Sequence, residues 1–297
     1  MNNKLYFVLP LLVAALVASC RPPRGGQSGE DNLPTEILTY TDSVTKGECQ
    51  ALQTLLVEYP TAECNTILAD SIRAWVKQEL QQCAYPIMAT EDLPIAPYTG
   101  DITDGQAMLK YYGSKGLENM TASISGIGEE LLFPVNYSND YGATIEARTP
   151  AFVTYDIEYG IYTGGAHGLE MNEQVTFCSK DGRRMGWNLV DTLENRKLLT
   201  ELILDGLAEY FAINTDDPDA DVWNYMQLYD DPETPDIDES SILPLPSTAP
   251  SLTNEGIRFV YQQYEIACYA IGRPECIIPY DKAKPILSRE AKKLLAL

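Results

Sequence analysis

One histidine, His167, stands in a chain of 297 residues that carries 43 acidic and 21 basic side chains. It sits in Tyr162-Thr163-Gly164-Gly165-Ala166-His167-Gly168, where flanking glycines would let its ring project as a general base or a contact residue. The same pattern also makes a tight turn, with glycine supplying positive φ and the ring satisfying a backbone group. A lone imidazole removes most zinc hydrolase chemistry, which takes two or three. A Ser-His-Asp reading lacks its nucleophile, since no Gly-x-Ser-x-Gly occurs. Ser43-Val44-Thr45-Lys46 matches Ser-x-x-Lys, but without a helix or the partner motifs of β-lactamases. Asp217-x-Asp219-x-Asp221 has the opening of a calcium loop, yet Val222 and Leu228 stand where glycine and glutamate are needed. No metal site, cofactor site or complete catalytic set follows. Tyr162, Gly164, Gly165, His167 and Gly168 remain as candidate binding residues.

Charge narrows the classes further. A net charge of −22 repels phosphate backbones and argues against nucleic-acid binding. Ten acids and no base lie between Asp216 and Glu239, which reads as a solvated acidic loop. Such a field would speed encounter with a basic protein. Tyrosine outnumbers phenylalanine 19 to 6. Tyr155 and Tyr159 fall at strand positions that suit a core, whereas Tyr162 beside the glycine turn would be free for recognition.

The first residues read as an address. Lys4 precedes the apolar stretch Leu5 to Ala18, shorter than the ~20 residues that span a bilayer but suited to a signal-peptide core. Val17-Ala18-Ser19-Cys20 resembles a bacterial lipobox. Residues 1–19 are therefore expected to be a lipoprotein signal peptide, Cys20 the lipidated residue, and residues 20–34 a flexible tether rich in proline, glycine and serine. The protein would be extracytoplasmic, held to the membrane by lipid alone.

The elements that must position the candidate turn follow from periodicity. Thr35–Val44 and Cys49–Glu58 read as extended. Glu63–Gln82 reads as a helix, with Leu68, Ile72, Trp75, Val76 and Leu80 on one face. Asp104–Tyr112 reads as a second helix capped by Asp104. Along Ala151–Ile161 apolar residues alternate with Thr154, Asp156 and Glu158, predicting one buried and one wet face. The same alternation at Tyr141–Ala147 and Met171–Phe177 completes an antiparallel meander that closes at the Ser179–Gly182 turn. Asp191–Phe211 reads as an amphipathic helix. Ile257–Tyr261, Tyr264–Tyr269 and Cys276–Ile278 read as strands, and Lys282–Leu297 as a closing helix. The class is α+β, with mainly antiparallel sheets, helices packed on one face and two sub-domains in series.

Two segments carry a resemblance. One is Tyr162–Gly168; the other is Tyr264-Glu265-Ile266-Ala267-Cys268-Tyr269-Ala270-Ile271-Gly272, followed by Ile277-Ile278-Pro279-Tyr280. With the intervening helix, these resemble the extracytoplasmic domain of unknown function shared by RsiV-type anti-sigma factors and PdaC-type peptidoglycan deacetylases. The part before it, with Tyr59-Pro60 ahead of a long helix, is similar to their companion domain. The resemblance implies residues 35–140 as that companion and 141–297 as the RsiV-like domain with an acidic insertion at 214–241. In the RsiV branch the region binds lysozyme, and in the PdaC branch a deacetylase domain follows; this chain reads as the shared module alone. The expected function is a non-catalytic envelope module for a basic protein such as a lysozyme, or for peptidoglycan. The rival is a cell-wall hydrolase or transferase centred on His167.

Six further cysteines, Cys49, Cys64, Cys83, Cys178, Cys268 and Cys276, stand beyond Cys20. Outside the cytoplasm an even set suggests disulfides. The family's closing motif usually has proline and valine where Cys268 and Cys276 stand, and the two flank Gly272 symmetrically, so a hairpin there would pair them. Cys64 and Cys83 lie about 28 Å apart along one predicted helix and cannot pair. A helix returning along the strand from Cys49 would bring Cys83 towards Cys49. The expected pairs are Cys268–Cys276 and Cys49–Cys83, with Cys64 and Cys178 left open; six reduced cysteines are the alternative.

Overall fold

The two extended stretches at the start become a hairpin. In the computed structural model, which describes residues 33–84, 95–127, 134–215, 222–226 and 243–297, β1 (Thr35–Lys46) and β2 (Cys49–Pro60) pair antiparallel along their whole length. Gly47, at φ 61°, takes the first central position of the two-residue loop, as a type II′ turn requires. The signal peptide, Cys20, most of the tether and most of the acidic insertion lie outside the described residues.

β2 next pairs in parallel with β3 (Asn136–Arg148), and parallel neighbours need a long crossover. That crossover contains α1 (Ile67–Cys83) and α2 (Gly105–Ile127). Thr66 caps α1, its Oγ1 accepting from Ala69 N at 3.1 Å. Leu68, Ile72, Trp75, Val76 and Leu80 are all buried, as their spacing predicts. Asp104 caps α2 through Ala107 N at 3.0 Å, but the helix runs on to Ile127, well past Tyr112. Gly113 and Gly116 do not end it. A Cβ at either would meet Tyr40 at 2.3 Å or Gln53 at 2.5 Å, so these glycines let the helix lie close on β1 and β2.

β4 (Phe152–Tyr162), β5 (Leu169–Cys178) and the short β6 (Arg184–Met185) complete a six-stranded sheet in the order β1 to β6, antiparallel except at β2–β3. Helices α1 and α2 pack on one face. Trp75 stands edge-on to Tyr155 and Phe177, with ring centroids 5.1 and 5.4 Å away. The α+β class is as the sequence predicts, but the boundary expected at 140/141 falls inside β3. Because β3 pairs with both β2 and β4, one sheet continues through it to Met185.

The rest of the chain builds a second layer. α3 (Arg196–Thr215) packs with the three-stranded sheet of β7 (Ser251–Leu252), β8 (Gly256–Val260) and β9 (Glu275–Pro279) around a core that includes Leu199, Ile203, Leu207 and Phe211. α3 starts at Arg196 rather than Asp191, whose carboxylate instead holds a turn through Leu193 N and Glu194 N. Three short helices follow: α4 (Val222–Tyr225), α5 (Tyr280–Ala283) and α6 (Arg289–Leu294). Pro285 and a new N-cap, Ser288, split the expected closing helix into the last two.

The face of β4 expected to be wet is instead covered by this second layer. Thr154 Oγ1 donates to the Leu252 carbonyl at 2.7 Å, and Leu252 N donates to Thr176 Oγ1 at 3.0 Å. Ser251 Oγ donates to Gln174 at 2.7 Å. Thr154, Asn172, Gln174 and Thr176 are all buried. Thr154 and Thr176 satisfy the backbone of Leu252 and Gln174 takes the Ser251 hydroxyl, so β7 adds no strand to the first sheet but docks upon its face.

Candidate functional site

The two sequence segments that carry the resemblance meet in space. The first is the β4–β5 connection, where Gly164 (φ 84°) and Gly165 (φ 110°) occupy the left-handed backbone that the turn needs. Gly168 is needed for a different reason, since a Cβ there would sit 2.9 Å from the Ile161 carbonyl oxygen. Tyr162 Oη donates to the Gly165 carbonyl at 3.0 Å, bracing the turn from its own end.

The second segment is not the strand expected over Tyr264–Tyr269. Gln262 to Glu265 form a turn in which the Glu265 carboxylate accepts from Gln262 N and Ser247 N. Tyr264 itself adopts φ 65°, a conformation that costs a non-glycine residue roughly 1–2 kcal/mol. A 3₁₀ turn over Tyr269–Ile271 follows, ending at Gly272 with φ 84°.

His167 joins the two. Its ring stacks on Tyr269 with centroids 3.9 Å apart and planes at 26°. Nδ1 lies 3.0 Å from the Gly168 carbonyl, which can only accept, so Nδ1 carries the proton. Nε2 is then free to accept from Tyr264 Oη at 3.2 Å. The ring thus satisfies a backbone group, as the tight-turn reading expects, while remaining exposed. Tyr264 and Tyr269 are the partners that the candidate list omitted. Their signal was their place in the second segment, but nothing in the spacing indicates that residues 97 apart share a surface.

The loop that carries Tyr264 and Tyr269 also walls a cleft of about 320 Å³ between β4–β5 and β8–β9. Gln263 Oε1 accepts from Glu170 N at 3.0 Å. Gln262 takes both backbone groups of Asn172, accepting from its N at 3.1 Å and donating to its O at 2.6 Å. The two glutamines thus stand in for a neighbouring strand along β5. Inside the cleft Arg258 bonds Asn172 Oδ1 at 2.6 Å and Glu275 Oε2 through Nε at 2.8 Å. Arg273 Nη1 bonds Glu158 at 2.8 Å. Burial holds the Glu158 carboxyl above its ordinary range, with Arg273 pulling it partly back. Two ion pairs, Arg258–Glu275 and Arg273–Glu158, thus tie the cleft wall together, which suits a rigid surface.

The expected disulfides are not formed. Cys49, Cys83, Cys268 and Cys276 are free thiols. No hairpin surrounds Gly272, because β9 pairs with β8 and the preceding segment is a 3₁₀ turn. Cys276 points onto α3 instead, where a Cβ on Gly206 would come within 2.6 Å of the Cys276 Cβ. Cys49 is buried in a small cluster with Leu117 and Met120, accepting from Val135 N at 3.4 Å. Cys83 lies in the main core between sheet and helices. Among the described residues no group of histidine, cysteine and carboxylates is arranged to hold a metal ion.

Residues 211–281 match the DUF3298 family model, described as a protein of unknown function. The matched segment holds Tyr264, Tyr269, β8 and β9, but not the His167 turn. Two solved structures are similar in fold. One is a DUF3298 family protein from Pseudomonas aeruginosa PAO1, with TM-score 0.54 and 17% identity over 87% of this chain and 96% of that one. The other is a DUF3298 family member from Bacteroides fragilis NCTC 9343, with TM-score 0.62 and 16% identity over 89% and 97%. No curated protein matches the chain.

Proposed function

We propose that this protein is a non-catalytic binding module of the bacterial envelope, lipid-anchored at Cys20, that recognises its ligand through the His167–Tyr264–Tyr269 surface. The observation that supports this reading is an exposed imidazole stacked at 3.9 Å on a tyrosine from a distant segment. Aromatic rings held in place by stacking and by a strained backbone lose little freedom on binding, which favours recognition. The ligand is a basic protein of the lysozyme kind or peptidoglycan. The net charge of −22 favours the basic protein by speeding encounter, and the resemblance to the RsiV and PdaC families favours a cell-wall setting. A hydrolase centred on His167 has less support, because both ring nitrogens face neutral partners, a carbonyl and a phenol.

Retention of the purified protein on immobilised lysozyme and on insoluble peptidoglycan tests the reading. Binding to one of them is expected, and Tyr269→Ala should weaken it. No retention on either overturns the reading. Release of muropeptides by the parent chain but not by His167→Ala would establish the enzyme instead. For the anchor, Cys20→Ala should move the protein from the membrane to the soluble fraction, and unchanged retention would refute lipidation. Binding to a basic partner should slow with added salt, since the field is screened within about 8 Å at physiological ionic strength.

A further inference from the structure

β1 is the edge of the six-stranded sheet, and no strand among the described residues lies on its outer side. It pairs with β2 over all of Thr35–Lys46 with no break in register, and it contains no proline. Bulges and prolines are the usual devices that blunt an exposed edge. Which backbone groups face outward follows from two hydrogen bonds. Gln106 Nε2 donates to the Thr39 carbonyl at 3.2 Å, and Ser43 N donates to the neighbouring Asp42 side chain at 2.8 Å. Both residues are odd-numbered, so the odd positions from Thr35 to Thr45 turn their N–H and C=O away from β2. The hairpin requires the same phase, because its two-residue loop closes on Lys46 and Cys49 as an inward pair.

We infer that β1 pairs antiparallel with β1 of a second copy of this chain, about a twofold axis at Thr41, merging two sheets into one. Charge selects the register. With the axis at Thr41, Glu36 of each copy stands opposite Lys46 of the other. Leu38 then meets Val44, Tyr40 meets Asp42, and Thr39 meets Ser43. An axis at Thr39 would set Glu36 against Asp42, and an axis at Asp42 would set that carboxylate against itself. An axis at Tyr40 would place Glu36 against Val44 and Leu38 against Asp42. Of the registers that overlap most of β1, only the one at Thr41 pairs opposite charges; an axis at Val44 sets Asp42 against Lys46 but joins only the last residues of the strand. Directly opposed pairs on antiparallel strands each contribute roughly 0.2–1 kcal/mol.

The remaining contacts agree with this register. Ile37, 55% exposed on the face away from the helices, gains Thr45 of the second copy as its neighbour. The groove between β1 and α2, about 570 Å³ and lined partly by Tyr40 and Val44, runs along the same edge and is flanked by its counterpart in the pair. The bonds of Gln106 and Asp42 to Thr39 and Ser43 are exchanged for backbone bonds between the strands.

Register-specific cross-linking of the full chain tests this. Opposed residues of a hydrogen-bonded antiparallel pair have Cα atoms about 5.5 Å apart, within the range a disulfide spans. Under mild oxidation, Thr41→Cys should give a covalent dimer on a non-reducing gel, beyond any formed by the parent chain. Thr39→Cys and Ser43→Cys should each give no covalent dimer alone but cross-link when mixed. In sedimentation at physiological salt, Glu36→Lys and Lys46→Glu should each weaken association roughly tenfold or more. The double exchange Glu36→Lys with Lys46→Glu should restore it. All these positions are exposed, so circular dichroism should show the parent fold in each. A parent chain that stays monomeric at hundreds of micromolar overturns the inference. So does cross-linking of Thr39→Cys as readily as Thr41→Cys, or a double exchange that fails to recover the dimer.

Discussion

Thr154 and Thr176 stand opposite each other on β4 and β5 with their hydroxyl oxygens 2.8 Å apart. Between them they satisfy both backbone groups of Leu252, whose carbonyl accepts from Thr154 and whose N–H donates to Thr176. Two side chains on a sheet face thus replace the edge strand that β7 would otherwise need there. Thr154→Val keeps the shape but leaves the buried Leu252 carbonyl without its donor. It should cost about 1–3 kcal/mol in denaturant unfolding, while Thr154→Ser should cost less. A valine variant as stable as the parent would show that the docking does not depend on this bond.

The His167–Tyr269 stack joins the turn before β5 to the loop before β9. Aromatic pairs contribute about 0.5–1.5 kcal/mol beyond their burial, and this one is partly exposed. A double-mutant cycle of His167→Ala and Tyr269→Ala should therefore give a coupling near ~0.5 kcal/mol. Additive single effects would mean that the rings lie together without interacting.

Glu79 on α1 and Glu173 on β5 are half-buried on the helix-covered face of the sheet. Burial is the main cause that raises both carboxyls above their ordinary range. Glu79 is raised further by the charge of Glu173, and Arg184 pulls both partly back. A carboxyl raised on folding stabilises below its unfolded pKa of roughly 4.3, and that contribution is lost as pH rises through the folded value. At pH 7, above the ordinary carboxyl range, the raised groups therefore disfavour the fold. Glu79→Gln should therefore resist urea better than the parent at pH 7, with the difference shrinking below pH 4. A lower midpoint at pH 7 would contradict this.

Thiol accessibility separates the cysteines. Cys268 is half-exposed, whereas Cys49, Cys83, Cys178 and Cys276 are buried. Burial also pushes the Cys276 thiol up to about 12 and Cys83 well above its usual range, so neither offers much thiolate at neutral pH. Brief alkylation followed by peptide mass spectrometry should label Cys268 first, and Cys276 only in denaturant. A Cys268–Cys276 disulfide in the non-reducing map would restore the hairpin reading of that segment.

The local elements of this fold were legible in the amino-acid order. The β4 alternation, the apolar stripe of α1 and the cap at Asp104 act over neighbouring residues, so period and side-chain chemistry suffice to place or bound them. α1 nevertheless starts at Ile67, capped by Thr66, rather than at Glu63. What lies across the chain was not. Thr154, Asp156 and Glu158 alternate as a solvent face should, and only the docking of β7 and β8 buries Thr154 and partly covers Asp156 and Glu158. A polar side chain looks the same in sequence whether water or another backbone satisfies it. Likewise Cys268 and Cys276 flank a glycine as a hairpin pair would, but β8 competes successfully for β9 and Cys276 turns towards α3. The glycine turn around His167 could be read directly; its meeting with Tyr264 and Tyr269 could not, because a contact 97 residues apart depends on how two sheets pack.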